Sequence, residues 1–97
     1  MLITQLEGRV SSEHWDTMKH RFNDAAQPLP PAILYSYLIQ DQNDKEVWRV
    51  LSIWRSRQAL QEYRASVDTP EGILMFRAAG TEPTLSISEV MVHARAD

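Results

Sequence analysis

The sequence predicts an α+β domain, an antiparallel sheet built in the order β-α-β-β-α-(α)-β with its helices on one face. Three observations carry that expectation. Ala32–Gln40 and Val47–Arg55 are two arms rich in β-branched, aromatic and leucine side chains, with the polar loop "DQNDK" between them, which is the pattern of a hairpin. Amphipathic helical stripes precede and follow that hairpin. Strand-like segments open and close the chain.

The elements follow in order. Met1–Leu6 reads as the first strand, closed by Gly8. Ser11 or Ser12 is placed to cap a helix, with Glu13 and Asp16 near its positive end. Trp15, Met18, Phe22 and Ala25 or Ala26 then recur at steps of three and four, a single apolar stripe. "QPLPP" ends this helix, because proline cannot continue it and steers the residue before it away from helical backbone. In the hairpin's second arm Val47, Leu51 and Ile53 share one face, and Trp48, Val50 and Trp54 share the other. A strand apolar on both faces calls for cover on both. The chain's own helices are expected on one side and a second copy of the protein on the other. In the first arm Tyr35 and Tyr37 are expected to share a face with Ile33 and Ile39, either packing there or lining a ligand cavity.

Ser56 is a good cap for the next helix, along which Ala59, Leu60, Tyr63 and Val67 form one side. "DTPEG" restarts the chain, with Thr69 as cap, Pro70 at the first helical position and Glu71 favourable to the dipole. The short helix Gly72–Ala79 is expected to stop at Gly80 in left-handed backbone. Thr84–Arg95 reads as the last strand, alternating Leu85, Ile87 and Met91 against Thr84, Ser86 and Ser88 before Val90 and Val92. The result is the ferredoxin-like arrangement, and its doubly apolar hairpin implies a homodimer with sheet facing sheet.

Composition narrows the function. Ninety-seven residues, 43% hydrophobic and 24% charged, suit one globular domain over residues 1–97 with a modest core. Thirteen acids against ten bases leave a net charge of −3, without the basic excess expected for a nucleic-acid partner. The chain has no cysteine, so disulfides, thiolate metal sites and a cysteine nucleophile are ruled out. "MLITQLEG" lacks the features of a signal peptide, and no apolar run is long enough to span a bilayer, so a cytoplasmic protein without a membrane partner is expected.

The stretches "VLSIWRSRQALQEYRAS" and "TPEGILMFRAAGTEPTLSISEV" resemble the antibiotic biosynthesis monooxygenase (ABM) domains of the dimeric α/β-barrel group. The first shows an aliphatic strand, Trp-x-Ser and a charged helix with an aromatic at Tyr63; the second shows a short helix leading into the last strand. The resemblance implies two ferredoxin-like protomers with facing sheets, forming a dimeric α/β barrel. Some members of the group oxygenate polyketide-like aromatic substrates without metal or flavin, so no cofactor is expected. Asn, Trp, Tyr and Arg side chains hold such substrates between sheet and helices, and Trp54 and Tyr63 match the aromatic positions in part. The haem-degrading branch carries an Asn in the first strand and a His after the second helix; neither "LITQL" nor "EGILMFRAAG" supplies them.

Two readings of the candidate residues stand side by side. In the functional one, Trp54 and Arg55 with Tyr63 form an aromatic floor with a nearby cation for a planar, electron-rich metabolite. Arg77, beside Phe76, supplies a second cation for an enolate or phenolate. Tyr63 and Arg77 are then the catalytic candidates, and Trp54, Arg55, Tyr35, Tyr37 and Phe76 the substrate-binding ones. In the structural reading, Trp54 and Tyr63 fill the core where strand turns to helix and the arginines are solvated. That leaves a non-catalytic dimeric module that binds a small molecule or serves a structural role. Asp16, His20 and Asp24 recur every fourth residue on one helix side, opposite the apolar stripe. They fit a solvated face better than a metal site, and no metal is expected. His14 falls in the first helical turn, and His93, in phase with Met91, is a candidate dimer contact. No serine sits in a nucleophile elbow and there is no glycine-rich phosphate loop.

Overall fold

The computed structural model describes residues 1–96. Strands β1 (Leu2–Arg9), β2 (Ile33–Gln40), β3 (Val47–Trp54) and β4 (Thr84–Glu89) form one sheet in the order β2-β3-β1-β4, with every neighbouring pair antiparallel. Helices α1 (Trp15–Ala25), α2 (Arg57–Ser66) and α3 (Glu71–Ala78) complete the βαββαβ order, α3 being the additional short helix. No helix among the described residues is long and apolar enough to cross a membrane.

Strict alternation in β3 sets the two faces. Trp48, Val50, Ser52 and Trp54 are buried under the helices, while Val47, Arg49, Leu51 and Ile53 are half-buried on the open side. The register places Tyr37 opposite Leu51 and Tyr35 opposite Ile53, so both tyrosines stand on the open face, stacked with ring centroids 6.5 Å apart.

Several boundaries differ from the sequence expectation, each for a physical reason. β1 does not close at Gly8 but runs through it to Arg9. Gly8 is there for packing: a Cβ at this position would come 2.9 Å from Cδ1 of Phe76, whose ring lies on the strand. A bulge between Ile33 and Tyr35 puts Ile33 opposite Trp54 and Tyr35 opposite Ile53, leaving Leu34 as the extra residue. Ile33 therefore faces the helices and not the side of Tyr35, Tyr37 and Ile39. Ser11 does not cap α1; a single 3-10 turn, Ser12–His14, leads into the helix, and the Ser11 hydroxyl donates to Glu13 Oε1 at 3.3 Å. Pro70 and not Thr69 is the N-cap residue of α3, and Glu71 is its first helical residue. β4 ends at Glu89 because its partner ends: Leu2 is opposite Glu89, and the Val90 amide makes one last bond to the Met1 carbonyl at 3.0 Å. Met91 and Val92 lie beyond the sheet, exposed.

Other local expectations hold. Ser56 Oγ accepts from the Ala59 amide at 3.0 Å, and Gly80 takes a φ of 82° just past α3. Asp16, His20 and Asp24 are exposed along α1, as a solvated face requires.

The hairpin loop is organised by Asp41. Its Oδ2 accepts from the Asn43 and Asp44 amides at 3.0 and 2.9 Å, and its Oδ1 accepts from Arg49, which also donates to Glu7 at 2.6 Å. The Asp44 amide, then Arg49 and the Asn43 amide, hold the Asp41 carboxyl below the ordinary carboxylate range. The Glu7 and Asp41 hydrogen bonds raise the Arg49 guanidinium in turn. A carboxyl depressed on folding stabilises above its unfolded pKa and loses that contribution as pH falls through its folded value. Asp41→Ala is thus expected to lower the urea midpoint by an equal amount at pH 7 and pH 5. The gap to the parent protein narrows below about pH 4, and a gap that stayed constant to pH 3 would remove Asp41 from that role.

Candidate functional site

Two apolar clusters lie between sheet and helices. One joins Leu6, Val10, Met18, Trp48, Val50, Met75, Phe76 and Ala79, with Trp15 and Phe22 packed on it. The other joins Leu2, Trp54 and Leu60, with Ile33 and Tyr63 against it. Residues of both line a cavity of about 310 Å³.

Each element contributes to this cavity for a reason visible in its pattern. Thr4 and Leu6 of β1, Ser36 of β2, and Val50, Ser52 and Trp54 of β3 form its floor, being the helix-facing residues of their strands. The bulge adds Ile33. Leu60 and Tyr63 come from α2, Ile73 and Met75 from α3, and Leu29 and Pro30 from the proline-rich link after α1. Leu85 and Ile87 of β4 form one side, where they stay 44% and 46% exposed. Arg64, Asp68 and Glu71 are charged and stand at the exposed margin.

Polar order within the apolar lining is concentrated on the floor. Thr4 is opposite Ser52, and Ser52 is opposite Ser36, so three hydroxyl residues cross three strands in one row. The Ser36 and Ser52 hydroxyls are 2.8 Å apart, and Trp54 Nε1 donates to Thr4 Oγ1 at 2.8 Å. Trp54 also meets Tyr63 with ring centroids 5.3 Å apart, and the Tyr63 hydroxyl accepts from the Glu71 amide at 3.4 Å.

The structure brings together only some of the residues singled out from the sequence. Trp54 and Tyr63 share a cavity wall. Arg55 points away, its Nε donating to the Pro31 carbonyl at 2.7 Å. Arg77 is exposed and paired with Glu82, and Phe76 is fully buried against Gly8; neither lines the cavity. Tyr35 and Tyr37 lie on the opposite face of the sheet. The cation that does reach the cavity is Arg64, one turn of α2 beyond Leu60 and without an ion-pair partner among the described residues. Sequence reasoning missed Arg64 and the hydroxyl row. Helical spacing from Leu60 could have found the arginine, whereas the row depends on strand register.

A four-stranded antiparallel sheet, helices on one face and a cavity between the layers define a ferredoxin-like α+β domain with an interlayer pocket. The chain belongs to the antibiotic biosynthesis monooxygenase family, which residues 1–72 match. Solved structures agree on the fold. A Deinococcus radiodurans protein assigned to the antibiotic biosynthesis monooxygenases superposes with TM-score 0.76 at 14% identity, over 100% of this chain and 99% of that one. A MhuD variant with two manganese protoporphyrin IX bound per active site gives 0.73 at 19% identity, over 99% and 100%. A variant of SnoaB, a cofactor-independent oxygenase from Streptomyces nogalater, gives 0.71 at 10% identity, over 95% and 94%. No curated protein sequence is significantly similar to the chain.

Proposed function

We propose that this protein binds a planar, largely apolar metabolite, aromatic or polyketide-like, in the cavity between sheet and helices and oxygenates it without a cofactor. The observation that carries the reading is the cavity of about 310 Å³ beside Trp54 and Tyr63, small enough for a compact ring system. The family and the likeness to a cofactor-independent oxygenase support it.

In this mechanism the substrate supplies the electrons. An anthrone-type carbon loses a proton to water to give a stabilised carbanion, which adds dioxygen; the peroxide anion takes a proton back, and elimination of water leaves the quinone. The protein binds, orients and polarises. Trp54 and Tyr63 hold the ring faces, and Arg64, in the place the sequence suggested for Arg55 or Arg77, offers positive charge toward the enolate. Oxygen uptake with a panel of anthrones and hydroquinones tests it. Arg64→Ala, which removes the charge, and Tyr63→Ala, which removes a ring wall, are each expected to lower kcat/KM by roughly tenfold to a hundredfold, with Arg77→Ala unchanged. Absence of turnover across the panel would count decisively against the oxygenase.

The lining also favours a second reading, a non-catalytic binding module. Its titratable groups are Tyr63, Arg64, Asp68 and Glu71, the charged three at the margin and not on the floor. Ligand binding without oxygen uptake would select that reading.

The same proposal includes a homodimer. The open sheet face carries Tyr35, Tyr37, Ile39, Leu51 and Ile53, with Tyr35 59% and Tyr37 47% exposed. A second copy laid sheet to sheet covers this face, as the family resemblance implies.

A further inference from the structure

The cavity floor contains more hydrogen-bond donors than the protein uses. Thr4 and Ser52 are 8% and 6% exposed, and both line the cavity with Ser36. Three hydroxyls supply three hydrogens. One is spent inside the Ser36–Ser52 pair, and the Thr4 oxygen is already an acceptor for Trp54 Nε1. The other two hydrogens, that of Thr4 and that of one serine, have no acceptor among the described residues.

Direction follows from polarisation. A hydroxyl whose oxygen accepts a strong hydrogen bond becomes a better donor itself. Trp54 does this to Thr4, and whichever serine donates does it to the other. The row therefore faces the cavity as two donors, on strands about 4.8 Å apart when Ser36 donates to Ser52 and about twice that when Ser52 donates to Ser36.

We propose that the Thr4–Ser52–Ser36 row is the recognition element of the cavity, binding ketone or phenolate oxygens of a planar apolar ligand and rejecting the hydrocarbon of the same shape. The inference rests on the reading of the cavity as a binding site and goes beyond it by naming the chemistry selected. A hydrocarbon would cover both donors and leave them unpaired, which costs more than the missing bonds alone. An oxygen acceptor keeps the apolar contacts and satisfies them. In an oxygenase the same donors would meet the oxygen that becomes anionic, so Thr4 and the serine pair are binding groups from the sheet, complementary to Arg64 at the margin.

The test compares 9-fluorenone with fluorene, planar tricycles that differ by a ketone oxygen, in equilibrium dialysis. The parent protein is expected to bind fluorenone roughly tenfold more tightly. Ser36→Ala/Ser52→Ala removes both members of one pair and strands no protein group, so it is expected to fold with a melting curve close to the parent's. Thr4→Val removes the other donor but leaves the Trp54 indole unpaired, and its melting curve is recorded alongside. The fluorenone preference is expected to fall at least threefold in one or both variants, with fluorene affinity held or improved. A parent preference within twofold of unity, or one unchanged in both variants, overturns the recognition role while leaving the cavity as a binding site. Failure of both probes to bind overturns the cavity reading itself, and the recognition role with it.

Discussion

Phe76→Ala is expected to destabilise the protein by about 3–5 kcal/mol, a cost set by lost transfer energy plus the void left behind. The ring is fully buried, belongs to the larger cluster with Met18, Trp48 and Val50, and lies on the bare backbone of Gly8. Each kcal/mol corresponds to roughly 4–8 °C of melting temperature in a domain of this size, so thermal denaturation reads the change easily. A residue whose main task was to touch substrate would lose far less on truncation. A loss below about 1 kcal/mol, the range of a surface substitution, would contradict the placement of Phe76 in the core.

Tyr37→Asp is expected to turn the proposed dimer into a monomer at micromolar concentration, as read by analytical ultracentrifugation. Tyr37 is 47% exposed and stands opposite Leu51 near the middle of the open face. Because it is about half exposed in the single chain, the substitution should cost the protomer only about 1 kcal/mol, from strand propensity and the stack on Tyr35. Facing a second sheet, the same carboxylate would be buried without a partner, at a cost of several kcal/mol. Unchanged circular dichroism with halved mass is the expected pair of results. A parent protein already monomeric at that concentration would remove the homodimer from the proposal.

Much of the fold is legible in one dimension because it rests on local rules. The alternation from Val47 to Trp54, the proline stop after α1, the Ser56 cap and the Gly80 terminus are each set by a few neighbouring residues. What the sequence hides is long-range. Gly8 looks like a strand end but is a contact surface for a ring 68 positions away in the chain. Ile33 changes face because of a bulge that simple alternation does not contain. The last strand stops at Glu89, despite apolar residues beyond it, because β1 offers no further partner. The candidate site follows the same division. Trp54 and Tyr63 are adjacent in a strand-to-helix corner and could be picked out together. Thr4, Ser36 and Ser52 come from three strands and become neighbours only through register. Arg55, Arg77 and Phe76 drew notice by residue type, and type alone does not fix direction.

The edge strand β4 has a kinetic consequence. Leu85 and Ile87 are both cavity wall and solvent-facing surface. If the cavity binds as proposed, a ligand would slide in along an apolar threshold that already stands open, and exchange would not wait for a helix to move. Retention is then set by what the floor and walls offer and not by enclosure. A poorly matched molecule that enters should leave as easily as it came, which makes the cavity a sampler of its surroundings as much as a container.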